Sequence, residues 1–408
     1  MSTPAERPQG SALLPAVAVV TLGALIAVFW YFFWGSPEPY SFFDINFYRT
    51  AVLEVMSGSK SMYDAMAYPP FAYLLLWWLG STPPLLADQL WTAVTFAVTI
   101  AMAAVLSVRV MEVLGRPWRS MRAELVTRTA IGSLLLLLSW PMVSQLTCGQ
   151  LSLLVIALPF FDLAGVVPKR YEGVLVGLAA AIKVTPMIFA IYYLVTGQRR
   201  QAVNTVASFA LWTGIGAIFF PTATWEYWTR LGRTGQDTDP LLPYNLGIRS
   251  MLARISLSLA QPTWLWAGLG LLLMVLALWR ARVMYRRGDA LEAAFVVAVA
   301  AIVVPPNSLP HYFTWLPLAA IWLFSTSGRL GKWLSVALLI IYSMVCSAAT
   351  FWIAILSPQL ATALASLGSL APVAIGAFGL PRRPARPTLT PVDDPASAGE
   401  AAASPAGR

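Results

Sequence analysis

The chain has 408 residues, 58% of them hydrophobic and only 11% charged, with a mean hydropathy of +0.69. An average soluble domain is about 45–50% apolar and about 25% charged, so a soluble globular enzyme and a disordered chain are both excluded. The 27 Lys and Arg exceed the 18 Asp and Glu, for a net charge of +9. The basic residues fall between apolar stretches, so membrane topology accounts for them better than nucleic-acid binding.

The apolar stretches are continuous rather than alternating, which excludes a transmembrane barrel. The expectation is an all-α polytopic integral membrane protein with about 10–12 membrane segments, some broken or re-entrant. Residues 1–11 read as a cytoplasmic N-terminus, 12–380 as the membrane domain, and 381–408, rich in Pro, Ala and Ser, as a disordered cytoplasmic tail.

The first apolar stretch, 12–34, follows Arg7 and closes on Trp30, Tyr31 and Trp34. A signal peptide is one reading; the length and the aromatic anchor favour a retained span. Further spans are expected at 86–108, 127–145, 150–167, 199–220, 263–285, 290–305, 310–325, 333–356 and 359–379. Arg109 to Arg128, Lys169 with Arg170, Arg199 with Arg200, Arg280 to Arg287, Arg329 with Lys332, and Arg382 to Arg386 mark the cytoplasmic side of the plasma (inner) membrane. Extracytoplasmic loops are then expected at 35–68, 221–262 and 305–311.

Two segments break this count. Residues 69–83 lie between Pro69-Pro70 and Pro83-Pro84 and fit a re-entrant or interfacial piece. Residues 171–197 have basic flanks on both ends but length for one crossing. A broken helix that returns would resolve the conflict; a straight span with one mis-sided loop is the alternative.

The outer face gathers the polar residues. It holds Asp44, Arg49, Glu54, Lys60 and Asp64, then Gln145, Cys148 and Gln150, then Asp237, Asp239, Asn245, Arg249 and Arg254, and finally Asn307 and His311. The cytoplasmic loops carry no Gly-rich phosphate cradle, so chemistry is expected on the outside. Cys148 and Cys346 offer neither metal spacing nor a disulfide framework, and no HExxH or GxSxG occurs.

Asp44 lies among aromatics in Ser41-Phe-Phe-Asp-Ile-Asn-Phe-Tyr-Arg49. Partial desolvation would make it a useful base, whereas a helix N-cap would be the structural reading. Lys183, about eleven residues or roughly 16 Å from either flank of its segment, is too deep to snorkel easily and calls for an anionic partner. His311, the only histidine, ends the Pro-rich break 305–311; it is either part of a pinned turn or a group that orients a carboxylate. Arg249 could clamp a phosphate or be an ordinary surface charge. Asp237-Thr-Asp239 has the letters of a metal site but sits in a Gly- and Thr-rich turn.

These clusters resemble the GT-C superfamily of multi-span glycosyltransferases. Within it they are similar to the actinobacterial α-1,2-mannosyltransferases that use polyprenyl-phosphate-mannose and build phosphatidylinositol mannosides. The resemblance rests on Asp44, Gly149-Gln-Leu-Ser-Leu-Leu154, Ala181-Ile-Lys-Val-Thr-Pro186, Asn245 through Arg249-Ser250, and Pro305-Pro-Asn-Ser308 with His311. It covers residues 40–315. Many relatives have two adjacent histidines where this chain has His311-Tyr312.

The resemblance implies a polyprenyl-phosphate-mannose donor, a phosphatidylinositol mannoside acceptor within the membrane, and transfer with inversion. It implies Asp44 as catalytic base with His311 orienting it or relaying the proton, Lys183 and Arg249 on the donor phosphate, and Gln150, Asn245 and Asn307 as further substrate contacts. No cofactor and no metal are implied. Alternatives are a transferase of another lipid-linked sugar or mannan acceptor, or a lipid transporter; the scarcity of acids in the spans and the lack of a visible repeat speak against transport.

Overall fold

The computed structural model describes residues 13–34, 42–66, 68–231, 239–242, 244–344 and 357–381. The N-terminus 1–11, the tail beyond Pro381, Asp237 and Cys346 lie outside them. The described residues are helical, without a strand. In chain order the helices are α1 (Leu13–Phe33), α2 (Phe43–Met56), α3 (Met62–Ala65), α4 (Pro70–Leu76), α5 (Pro84–Val113), α6 (Arg122–Leu138) and α7 (Trp140–Cys148). There follow α8 (Ser152–Leu163), α9 (Val174–Ile182), α10 (Ile188–Val195), α11 (Arg199–Phe219), α12 (Pro221–Arg230), α13 (Ile248–Ile255) and α14 (Leu257–Ala260). The last are α15 (Thr263–Arg286), α16 (Ala290–Ala301), α17 (Trp315–Thr326), α18 (Arg329–Met344) and α19 (Pro358–Phe378).

Among the described residues, α1, α5, α11 and α15 are long and apolar enough to cross a membrane. The α6–α7 pair joins them as a fifth crossing if its two parts, bent by 70°, form one span. The bend follows from Pro141, which cannot donate to a carbonyl in the preceding turn; Ser139 turns extended there. The expected spans 150–167, 290–305 and 310–325 are corrected: α8, α16 and α17 have 12 residues each. At 1.5 Å per residue, such a helix covers about 18 Å of the roughly 30 Å core.

The 171–197 segment is broken. Pro186 forbids a continuous helix, α9 ends at Ile182, and Lys183 adopts an extended backbone before a 3-10 turn at Thr185–Met187 and α10. Both ends lie at the same end of α11. Asn204 donates to the carbonyls of Arg170 and Glu172 at 3.0 and 2.8 Å, while α10 closes into Arg199 three residues past Thr196. The segment therefore rises to Lys183 and returns, with 9 and 8 helical residues in its arms.

Close packing makes the hairpin possible. A Cβ on Gly173 would sit 2.2 Å from the Gln201 carbonyl oxygen, and one on Gly177 2.3 Å from that of Thr205. The pair forms a Gly-x-x-x-Gly contact with α11. The N-terminus of α9 is satisfied by Asp162 of α8, whose carboxylate accepts from the amides of Gly173, Leu175 and Val176 at 2.8–3.1 Å. The carboxylate fills orphan donors and offsets the positive helix end. Asp162→Ala is expected to cost about 2 kcal/mol and lower the thermal midpoint in detergent, with Asp162→Asn losing less.

Residues 69–83 form α4 and a 3-10 turn, Trp77–Gly80, against the far end of α11. Phe71 packs on Trp212, with ring centroids 5.1 Å apart, and on the backbone at Gly216. Pro70–Gly80 is shorter than the helices long enough to cross, in keeping with a non-spanning piece.

Candidate active site

Asp44 stands in the first turn of α2, which is docked onto the turn between α7 and α8. The Phe42 amide donates to the Thr147 carbonyl. Gly149 takes φ 69°, and a Cβ there would press on Ile45 of α2 at 3.0 Å. Only glycine meets both demands. Phe42 itself has φ 58°, a left-handed conformation costly for a bulky residue; burial and the bond to Thr147 hold it.

Docking places the Asp44 carboxylate beside the Gln150 and Cys148 side chains, and both hydrogen-bond to it. A carboxylate only accepts, so the amide and the thiol donate. Gln150 is buried; its Oε1 accepts from the buried Tyr48 hydroxyl at 2.7 Å. The Tyr48 hydroxyl also shares a hydrogen bond with Tyr68. Having given its proton to Gln150, Tyr48 accepts from Tyr68. The expected N-cap role of Asp44 is not observed: the cap position is Phe42, without a side-chain cap bond.

Burial raises the Asp44 pKa above its ordinary value, against the opposing pull of Gln150, Cys148 and the Lys183 charge. Activity that needs the carboxylate is therefore expected to rise with pH through a limb above the usual carboxylate range. Cys148→Ala removes a donor that favours the ionised form, so that limb is expected to move to higher pH. Cys148→Ser should restore it, as read from the pH dependence of kcat/KM.

Lys183, at the tip of the α9–α10 hairpin, points its ammonium over the Tyr312 ring, 3.8 Å from the centroid, with the Tyr68 ring at 5.7 Å. Such faces attract a cation. Asp44 and Lys183 are close enough for their charges to interact. A cavity of about 110 Å³ opens beside the lysine. Lys183, Asn307, Tyr312 and Ser152 give it polar lining, and side chains such as Phe189 and Trp315 give it apolar lining. The Asn307 Oδ1 is buried without a hydrogen-bond partner.

His311 is brought near but not where the resemblance implies. It lies in a 3-10 turn, Pro310–Thr314, packed against α7. Its ring is edge-on to Tyr312, centroids 4.5 Å apart. Both ring nitrogens are buried without a hydrogen-bond partner. The bonds expected from His311 to Asp44 are made instead by Gln150 and Cys148, because α2 docks on residues 147–150.

Asn245 is likewise spent. Its Oδ1 accepts from the Ser308 and Gly247 amides at 3.0 and 3.3 Å, and its amide donates to the Pro306 carbonyl at 3.3 Å. It fastens the strap before α13 to the Pro-rich break. Ile248 donates to the Val303 carbonyl at 2.9 Å, which places Arg249, half-buried in the first turn of α13, beside that break. Gln150 holds Asp44. Asp239 accepts from the Leu241 amide at 2.8 Å, the turn expected of it. No group of three potential metal ligands occurs among the described residues.

Tyr48, Tyr68 and Cys148 were not expected as working parts. Tyrosines near a membrane boundary read as anchors, and no local spacing links them to Asp44. The Gly173-x-x-x-Gly177 spacing, by contrast, is a legible signal for the hairpin's packing.

The described helices make a multi-pass membrane protein with a half-buried carboxylate near a lysine enclosed by tyrosine rings. The family model for glycosyltransferase family 87 matches residues 67–306, more than half of the chain, and the chain belongs to that family of glycosyltransferases. The match contains Gln150, Lys183, Asn245, Arg249 and Tyr68; Asp44 and His311 lie outside it.

Curated relatives are similar over longer stretches. The polyprenol-phosphate-mannose-dependent alpha-(1-2)-phosphatidylinositol mannoside mannosyltransferase of Mycolicibacterium smegmatis is 26% identical over 356 residues, 76% of each chain. Its namesake from Mycobacterium tuberculosis H37Rv is 30% identical over 186 residues, 43% of this chain and 42% of that protein. The corresponding pentamannoside mannosyltransferase of M. tuberculosis CDC 1551 is 26% identical over 346 residues, 80% of this chain and 75% of the relative. No solved structure matches.

Proposed function

We propose that this protein transfers mannose from polyprenyl-phosphate-mannose to a hydroxyl of a phosphatidylinositol mannoside, in α-1,2 linkage and with inversion, on the extracytoplasmic face of the plasma membrane. The observation that carries this reading is the convergence of Asp44 and Lys183 through Gln150, Tyr48 and Tyr68 beside a cavity with both polar and apolar lining. The names of the relatives supply the donor and acceptor classes. The basic loops between spans support a site on the outside.

Asp44 takes the proton of the acceptor hydroxyl as its oxygen attacks the anomeric carbon. The bond from that carbon to the phosphate oxygen breaks, and polyprenyl phosphate leaves as an anion. That anion needs positive charge rather than a proton. Lys183 provides it, with Arg249 beside the Pro-rich break. His311 and Asn307, with unsatisfied polar atoms next to the lysine, complete the phosphate contacts. The apolar lining of the cavity receives the first isoprene units.

The test is an assay of the purified protein with each lipid-phosphate sugar and with mannose-terminated glycolipids. Turnover only with a lipid-linked arabinose, or none with any lipid-phosphate sugar, would overturn the reading. Because a side-chain cation meets the leaving phosphate, full activity is expected to persist in excess EDTA. Complete loss there would return Asp237 and Asp239 to consideration.

A further inference from the structure

Asp44 lies on a seam. At about 100° per residue around α2, Ile45 and Tyr48 point into the protein and are buried. Phe43 and Phe47, one turn apart, point out, at 61% and 43% exposure. Asn46 and Thr50 flank them on the same open face. Phe47 follows Asp44 by three residues and Tyr48 by four, so each is its neighbour on the helix surface. The carboxylate thus has a buried side leading through Gln150, Tyr48 and Tyr68 to Lys183, and an open side paved with phenyl rings.

Large exposed rings grouped beside a reacting group mark a binding surface. Displacement with inversion requires the acceptor to arrive opposite the leaving group. With phosphate held at Lys183 on the buried side, the acceptor comes over the open side.

We propose that Phe43 and Phe47, with Asn46 beside them, form the acceptor subsite: an aromatic platform that receives the apolar face of the glycolipid's terminal sugar and turns its hydroxyl toward Asp44. This rests on the mannosyltransferase reading and adds residues that select the acceptor. Leu53 and Met56, exposed toward the far end of α2 with Met56 turned to the side of Gly80, lie away from the two rings and supply the control.

The experiment compares Phe43→Ala, Phe47→Ala and Phe47→Tyr with Leu53→Ala and Met56→Ala, in detergent and in liposomes. A synthetic alkyl mannoside and polyprenyl-phosphate-mannose are the substrates. Both Phe→Ala changes are expected to raise the acceptor KM about tenfold, with the donor KM unchanged. Release of polyprenyl phosphate to water without acceptor should also be unchanged. Phe47→Tyr should retain most acceptor affinity, and the two controls should act like the parent. Binding of the alkyl mannoside to donor-free protein should weaken in parallel.

An unchanged acceptor KM would overturn the platform. Loss in liposomes alone, equal for all four alanine variants, would make the rings a membrane-facing surface and overturn the platform too. Failure of the parent protein to turn over the donor would instead strike the underlying mannosyltransferase reading, and the platform with it.

Discussion

Asp44→Asn is expected to lower kcat about 10²–10⁴-fold, the contribution of a placed general base, while the protein stays folded. The asparagine is nearly isosteric and keeps an oxygen to accept from Gln150 or Cys148, but it cannot take the acceptor's proton. The stability side has a definite sign. Burial raises the pKa of Asp44 in the folded chain, so the folded state binds this proton more tightly than the unfolded state. Ionisation then costs stability as pH rises from the unfolded pKa through the folded one. At neutral pH, Asp44→Asn should therefore melt at the parent temperature or above it. Activity retained at the parent level would remove Asp44 from the chemistry. A lower melting temperature would mean the carboxylate is structural.

Lys183→Met is expected to cost about 10²–10³-fold in kcat, the scale for losing one charge aimed at a developing anion. The donor KM should rise as well, because the ammonium also meets the ground-state phosphate. Lys183→Arg should recover little. The space between the Tyr312 and Tyr68 rings accepts a compact ammonium, and a planar guanidinium has a different shape and hydrogen-bond fork. Single-turnover rates with saturating donor separate the two effects. An arginine variant as fast as the parent would show that charge alone matters and that the tyrosine cage does not.

The breaks in the fold were legible because proline writes them plainly. Pro69-Pro70 opens the non-spanning piece, Pro186 interrupts the hairpin, and Pro305-Pro306 separates α16 from α17. The two basic flanks of 171–197 fit its returning course: Asn204 ties the first flank to the end of α11 at which the second, Arg199 with Arg200, begins. Span length was less legible. Hydropathy reports that a stretch is apolar, and α8, α16 and α17 are apolar because protein rather than lipid surrounds most of their side chains.

The members of the site were easier to find than their pairing. Asp44, Gln150, Lys183 and Asn307 meet around one region, yet the partner of Asp44 depends on a tertiary event. The docking of Phe42 on Thr147 across Gly149 leaves no trace in local pattern. The family resemblance implies His311 at Asp44, where an amide and a thiol bond to the carboxylate.

The short arms of the Lys183 hairpin bear on how the protein is made. Neither 9 nor 8 residues reach the about 17–25 that mark a stretch as membrane-crossing, so the translocon has no reason to release this piece into lipid by itself. Its packing partners, Gln201 and Thr205, leave the ribosome later. The lysine therefore reaches its station only after α11 has entered the bilayer, and a nascent chain arrested before that helix has no place to keep its charge.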